Sequence, residues 1–288
     1  MKNAMKLTDF QVLTPIDYGW SGDKKYRAVT PDGTPYFLRI TSRERGDRFT
    51  RLFELQRAVA ATGIPMCQPV AIGECEEGVY AVHSWIDGVD AEGNVPQLPT
   101  EVQYRLGRNA GAYLTRIHSI PAPEDQPDWE VRFNAKIDRK IQMYADCPLK
   151  YEKGQCFLNF LEDNRHLLSN RPQTYQHGDY HIGNMMIDND GVLTIIDFDR
   201  DDFGDPWEEF NRIVWCAQAA PAFASGMVDG YFEGNIPIDF WKLLALYICS
   251  NTLSSLTWAI PFGEKEIQVM RNQAAQVLEW YDGMANVV

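Results

Sequence analysis

The chain has 288 residues, 40 acidic against 27 basic, for a formal net charge of -13, and 45% of it is hydrophobic. That length and hydrophobic share suit one large domain or two lobes around a cleft. No Lys/Arg block is long enough to track a phosphate backbone, which argues against nucleic acid as a partner, whereas so acidic a chain would draw in a cationic small molecule.

The opening MKNAMKLTDF carries no apolar run of a signal sequence, and no stretch approaches the roughly 20 apolar residues of a membrane span. A cytoplasmic location without a membrane partner is expected. Six cysteines, at 67, 75, 147, 156, 216 and 249, show no CxxC or CxH spacing and read as scattered reduced thiols.

Along the chain, KKYRAV (24–29) and YFLRI (36–40) flank PDGTP, a turn signal, and together predict a β-hairpin. FTRLFELQRAVAATGIP then places Leu52, Leu55 and Val59 at helical spacing, ended by Gly63 and Pro65. Two more strands are expected in CQPVAIG and GVYAVHSW, giving a small sheet that carries one helix. After the Gly/Pro/Asp-rich connector IDGVDAEGNVPQLP the pattern turns helical. Residues 100–119 repeat apolar side chains every three or four positions behind Thr100 as N-cap, and helices recur around 136–144, 156–168, 208–219, 240–258 and 264–280. Only MMID and LTIIDF, split by the turn NDG, interrupt them as a hairpin. The expected fold class is α+β, a sheet lobe over residues 1–85 and a larger helical lobe over 86–288.

The segment TYQHGDYHIGNMMIDNDGVLTIIDFDRDDFGDP crowds aspartates around this second hairpin. Asp188 and Asp190 flank the turn, where such side chains bond local backbone. Asp179, Asn184 and Asp197 instead sit before one strand and at the end of the next, where the hairpin can bring them to one cleft edge. A carboxylate there is costly unless it meets a cation or accepts a proton. An Asp, four residues, an Asn, then an Asp ending the next strand is the spacing by which kinases set a base and two metal ligands around a nucleotide. Asp179 would take the proton of a substrate hydroxyl, and Asn184 and Asp197 would offer hard oxygen ligands to Mg²⁺.

HGDYHIGN, IIDFDR and GDPWEEF, in that order, resemble the aminoglycoside phosphotransferase and choline kinase-like family. YGWSGDKKY looks like its nucleotide-covering loop, YFLRI like the strand with the phosphate-pairing basic residue, and SWIDGV like the hinge. The resemblance implies a bilobal protein-kinase-like fold, a small antiparallel N-lobe over a helical C-lobe that holds the catalytic hairpin. It also implies Asp179 as base, Asn184 and Asp197 as metal ligands, and His177 as anchor of the catalytic loop. Asp205 is expected to cap a helix or brace a loop. Arg39 stands where many kinases have lysine, and is expected to contact the nucleotide with Glu54 as its ionic partner. Backbone amides around Ser21, Gly22 and Asp23 would cradle phosphates, and backbone groups at Ser84 and Ile86 would bond the purine edge without choosing between ATP and GTP. Asp199, Asp201, Asp202, Glu208 and Glu209 form an expected acidic rim for an amine-bearing acceptor, with Trp207 offering a flat surface beside it.

The expected function is an ATP- or GTP-dependent kinase acting on a hydroxyl of a cationic small molecule, an aminoglycoside by resemblance and hence tied to antibiotic resistance. Choline, an amino sugar, a macrolide or a homoserine-like metabolite are alternative acceptors. A kinase-like protein that binds nucleotide without turnover is the alternative of another class.

Overall fold

The computed structural model describes residues 5–17, 22–200 and 202–287. Strands β1 (Val12–Pro15), β2 (Lys24–Val29), β3 (Pro35–Thr41), β4 (Pro69–Cys75) and β5 (Gly78–Ser84) form an antiparallel sheet in the order β1-β2-β3-β5-β4. The β2–β3 hairpin closes at Gly33, whose φ of +89° suits a residue without a Cβ. Strand alternation gives this sheet two apolar faces. Ala28, Leu38, Ile40, Tyr80 and Val82 pack on one face, and Ala81 packs beneath Phe49 and Phe53 of helix α1 (Gly46–Ala61) on the other.

His83 lies at this helix–sheet contact, 6% exposed, beside the rings of Phe37 and Phe53. Its Nε2 is 2.6 Å from Gln56 Oε1 of α1, while Nδ1 is buried without a partner. Burial, reinforced by the nearby Arg39 charge, pulls its pKa down to about 4.

Past Ser84 the chain runs into β6 (Gly88–Asp90), which pairs with β8 (Met185–Asp188); β8 pairs in turn with β9 (Leu193–Ile195). The expected hairpin is therefore two strands of a three-stranded sheet, edged by the connector itself. Between them come α2 (Ala91–Asn94), α3 (Thr100–Ile117), α4 (Trp129–Asp146) and α5 (Gly154–Asn164). A short pair, β7 (Thr174–Tyr175) with β10 (Phe203–Gly204), brackets the aspartate-rich segment. Then follow α6 (Ile213–Ala219), α7 (Pro221–Phe232), α8 (Ile238–Ala259) and α9 (Glu264–Trp280).

Several expectations shift. Pro99, not Thr100, holds the N-cap of α3, because Thr100 is already helical. Helix α4 starts earlier than its apolar repeat, at an Asp128 cap that accepts from the Val131 N–H at 3.1 Å. The predicted helix over 208–219 divides into a 3-10 turn, Glu208–Arg212, and α6. Helix α7 lies in a stretch to which the sequence reading assigned no element, and its glycines are spaced for close contact. They let it approach α3 closely: a Cβ on Gly107 or Gly111 would overlap the carbonyls of Phe223 or Met227, and one on Gly226 or Gly230 those of Tyr104 or Arg108.

Among the described residues, one helical segment is long and apolar enough to cross a membrane, Ile238–Phe262, with mean hydropathy 1.4. This corrects the expectation that no such stretch exists. Its residues are apolar on all sides because α8 packs against α4, α5 and α9, leaving 67% of the window buried within the protein.

Gly111→Val should destabilise the chain by about 3 kcal/mol in urea unfolding, because two backbones would have to part to admit the side chain. His83 makes a pH signature. Its folded pKa lies below the ordinary 6.5, so the unfolded state takes the proton first, and stability is full above 6.5 and falls toward pH 4. Between pH 7 and 4.5 the wild type should lose about 2 kcal/mol more than His83→Gln.

Candidate active site

The catalytic segment leaves β7 through buried Gln176 and His177. His177 Nδ1 accepts the Asp179 N–H at 3.3 Å, so Nε2 carries the proton and donates to the Ile196 carbonyl at 2.9 Å. Gly178 turns the chain at φ +82° and gives its N–H to Glu209 Oε1 at 2.8 Å. The other Glu209 oxygen is buried 3.8 Å from His118 Nε2, and neither atom has a hydrogen bond.

Asp179 projects from this turn with its side chain 30% exposed. Its Oδ1 lies 3.1 Å from Arg212 Nε and 3.8 Å from His181 Nε2, and Asn184 Nδ2 donates to its backbone oxygen at 2.9 Å and to Oδ2 at 3.3 Å. Burial alone would raise its pKa, but the His181 ring, the Arg212 charge and His177 together hold it far below the usual carboxylate range.

The partner strand delivers Asp197. Ile196 N–H bonds the Asn184 carbonyl at 3.1 Å, tying the two elements together, and Asp197 then adopts φ +65°. That left-handed residue costs on the order of 1 kcal/mol. It turns the chain so sharply that Asp199 N–H reaches back to the Asp197 carbonyl at 2.9 Å. Asp199 consequently points at Arg39, whose Nη1 donates to its carboxylate while Nε donates to Asp23 at 2.6 Å.

Glu54 is therefore not the ionic partner of Arg39. It is exposed and pairs with Arg57 at 3.5 Å, while Gln56, 200° further round α1, faces the cleft and donates to the Phe198 carbonyl at 2.9 Å. Asp199 likewise lies on the Arg39 side of the cleft instead of an acceptor rim.

The cleft between the lobes has a volume of about 420 Å³, with Phe37, Phe49, Phe53, Ala81, Met186 and Ile196 supplying apolar wall and Lys25, Arg39, Asn184, Asp197 and Asp199 one charged end. Ser84 also lines it, but its N–H is spent on the Gln68 carbonyl at 2.9 Å. Ile86, by contrast, makes no backbone hydrogen bond among the described residues, so its amide and carbonyl are open to a ligand. Gly22 is exposed and outside the cleft lining, and Ser21 and Asp201 lie outside the described residues.

The remaining rim residues turn to the protein. Asp202 pairs with Arg132 at 2.6 Å, and buried Glu208 takes Lys136 Nζ at 2.9 Å and Gln176 Nε2 at 3.2 Å. Trp207 lies under the Arg171 guanidinium, 3.9 Å from its ring centre, and meets Phe232 and Phe240 edge-on. Asp205, fully buried, accepts two bonds from Arg171 at 2.6 and 3.1 Å, one from Tyr247 at 2.6 Å and the Trp207 N–H at 3.0 Å. Among the described rim residues, Asp202, Asp205 and Glu208 each already accept from an internal donor.

Sequence reasoning missed Arg212, His181 and Lys25, and it placed Asp23 in the phosphate loop by its backbone without foreseeing that its carboxylate pairs with Arg39. Lys25 was recoverable, since it is the cross-strand neighbour of Arg39 in the predicted hairpin. Arg212 carries no such signal, standing 33 positions from Asp179 in sequence.

The donor set suits a hard divalent cation. Asn184 Oδ1 has no hydrogen bond while its Nδ2 is engaged, and Asp197 faces Asp199 with Arg39 as their shared counter-charge. Desolvation at the cleft edge, then the Asp199 charge, pushes Asp197 up to about 6 against the Arg39 charge, and a bound cation would favour its ionised form.

The phosphotransferase enzyme family matches the chain over residues 12–243. No curated protein gives a significant match. Among solved structures, a thermostable aminoglycoside phosphotransferase APH(4)-Ia in ternary complex with ADP and hygromycin B superposes with a TM-score of 0.67 at 18% identity, covering 94% of each chain. A putative fructosamine-3-kinase from Haemophilus somnus 129PT gives 0.62 at 12% identity over 93% of this chain and 92% of its own. The gentamicin–APH(2")-IIa complex gives 0.62 at 15% identity over 93% and 91%. These identities establish the fold, a bilobal kinase-like α+β architecture. With the family match spanning both lobes and the catalytic hairpin, the chain belongs to the phosphotransferase enzyme family and is a phosphotransferase with a hydroxyl acceptor.

Proposed function

We propose that the chain is a small-molecule kinase that moves the γ-phosphoryl group of ATP or GTP onto a hydroxyl held at Asp179. One observation carries this reading: a carboxylate kept ionised at the tip of the catalytic turn, sharing Asn184 with the neighbouring oxygen-donor site. The purine would enter the apolar cleft and bond the open Ile86 backbone, while Arg39 and Lys25 meet the phosphates at its charged end. Asn184 and Asp197 would hold Mg²⁺, which when bound supplies charge neutralisation between the phosphate oxygens.

Asp179 accepts a hydrogen bond from the acceptor hydroxyl and orients its oxygen in line with the γ-phosphorus. As the new P–O bond forms, the bond to the departing nucleoside diphosphate breaks, and the hydroxyl proton passes to Asp179. So low a pKa makes Asp179 a weak base, which fits a loose transition state in which the proton leaves late. Orientation is then its larger contribution.

An aminoglycoside, as in the hygromycin B and gentamicin complexes of the structural neighbours, is one acceptor class. The acidic rim that favoured it in the sequence is neutralised internally by Arg39, Arg132 and Lys136.

Asp179→Ala should lower kcat by about 10³-fold in an ADP-release assay while leaving the Kd for Mg·ATP nearly unchanged; retained turnover would refute its role. Arg39→Ala should raise the KM for ATP roughly tenfold or more, by loss of charge-assisted bonds to phosphate. An unchanged KM would remove Arg39 from the nucleotide site.

A further inference from the structure

Asp179 is not among the residues that line the nucleotide cleft, and neither are Arg212, Lys136 and Lys140. These three cations converge from two elements. Arg212 closes the 3-10 turn Glu208–Arg212, and Lys136 and Lys140, four positions apart, share one face of α4. Buried Glu208 joins them. Burial would raise its pKa, but Lys136, Lys140 and Arg212 outweigh burial and keep it ionised.

The local charge does not balance. Glu208 is engaged by Lys136 at 2.9 Å and Asp179 faces Arg212 at 3.1 Å, which accounts for both carboxylates and two of the cations. Lys140, half-buried, makes no hydrogen bond or ion pair among the described residues. Burial, then Lys136, with Glu208 opposing and Arg212 and Arg139 adding, pulls its pKa down to about 7. Arg212 Nε is itself buried, and at its 3.1 Å from Asp179 it is not aligned for a hydrogen bond. An amine held from water without a counter-ion and a guanidinium with an unspent donor cost stability unless a ligand supplies the missing anion. This surplus of positive charge stands beside the reacting carboxylate in a chain of net charge -13.

We infer that the acceptor is a small hydroxylated anion, whose carboxylate or phosphate group is held by Lys140, Lys136 and Arg212 while its hydroxyl meets Asp179. The fate of that hydroxyl rests on the kinase reading; the anion site itself does not. The inference replaces the cationic acceptor expected from the sequence.

The test uses the full chain with Mg²⁺ and AMP-PNP, titrated calorimetrically with D-gluconate, D-glucose 6-phosphate, D-glucose and D-glucosamine, which vary charge on a related carbon skeleton. At least one of the two anions should bind roughly tenfold or more tightly than glucose and glucosamine, and which one does so separates a carboxylate site from a phosphate site. Lys140→Met should abolish that preference, Lys140→Arg should keep most of it, and neither should change AMP-PNP affinity. Lys140→Met should also raise the urea midpoint, since it removes an uncompensated charge, so that loss of binding cannot be loss of fold. Equal binding across the four sugars, tighter glucosamine, or weakened AMP-PNP with unchanged anion binding would overturn the inference. ADP release with the bound anion then tests the kinase reading separately, because an anion that binds without turnover leaves the site standing and removes the reaction.

Discussion

One buried ring, His177, positions the rest of the site. The buried His177 imidazole takes the Asp179 amide proton on one nitrogen and donates to the Ile196 carbonyl with the other, so the loop that carries Asp179 and the strand that carries Asp197 are clamped through one rigid ring. Burial holds that ring below its ordinary pKa, which keeps it neutral and preserves the donor–acceptor pattern that the clamp needs. A protonated ring would lose its acceptor and release the Asp179 amide. The Asn184 carbonyl bonded to the Ile196 amide closes the same joint from the other side. The geometry of the candidate site is thereby set by backbone groups of adjacent elements, and little depends on the mobility of long side chains.

Around this joint the chain distributes negative charge by giving each buried carboxylate its own cation. Asp205 has Arg171, Glu208 has Lys136 and Asp199 has Arg39. Glu209 departs from that rule, since it takes only the Gly178 N–H on one oxygen, and two further places carry an unbalanced charge. Asp197 shares Arg39 with its neighbour Asp199, whereas Lys140 has no anionic partner among the described residues. The first matches a metal-bound nucleotide and the second an anionic group on the acceptor, on either side of the base that would join them.

The hairpin, the lobe order and the gathering of Asp179, Asn184 and Asp197 at one cleft edge were legible because local spacing encodes them. An Asp and an Asn five positions apart on one loop, with a strand-ending Asp after a two-strand excursion, constrain each other whatever the rest of the chain does. Glu54 was misread because a helix rotates about 100° per residue, so a two-residue error in phase puts the wrong side chain in the cleft. Asp199 was misread because nothing in IIDFDR announces that Asp197 takes a left-handed conformation, and that one dihedral reverses the following carboxylate toward Arg39. The sequence reading assigned no element to helix α7, whose glycines serve contact between two backbones, a property of the pair and invisible in either segment.

The charge of the acceptor side was illegible for a further reason. Read linearly, DRDDFGDPWEEF is a dense acidic block, and its net sign points to a cationic ligand. Folding places Arg39, Arg132, Lys136 and Arg171 against that block from β3, α4 and the segment before β7, cations that lie 34 to 160 positions away in sequence. Once these pairs form, the potential felt by a ligand depends on whichever charges remain unmatched, among them the Lys140 amine, beside an Arg212 whose Nε is left without a hydrogen bond. A focusing field depends on the residual charge after pairing, so an acidic sequence segment can present a basic face to its substrate.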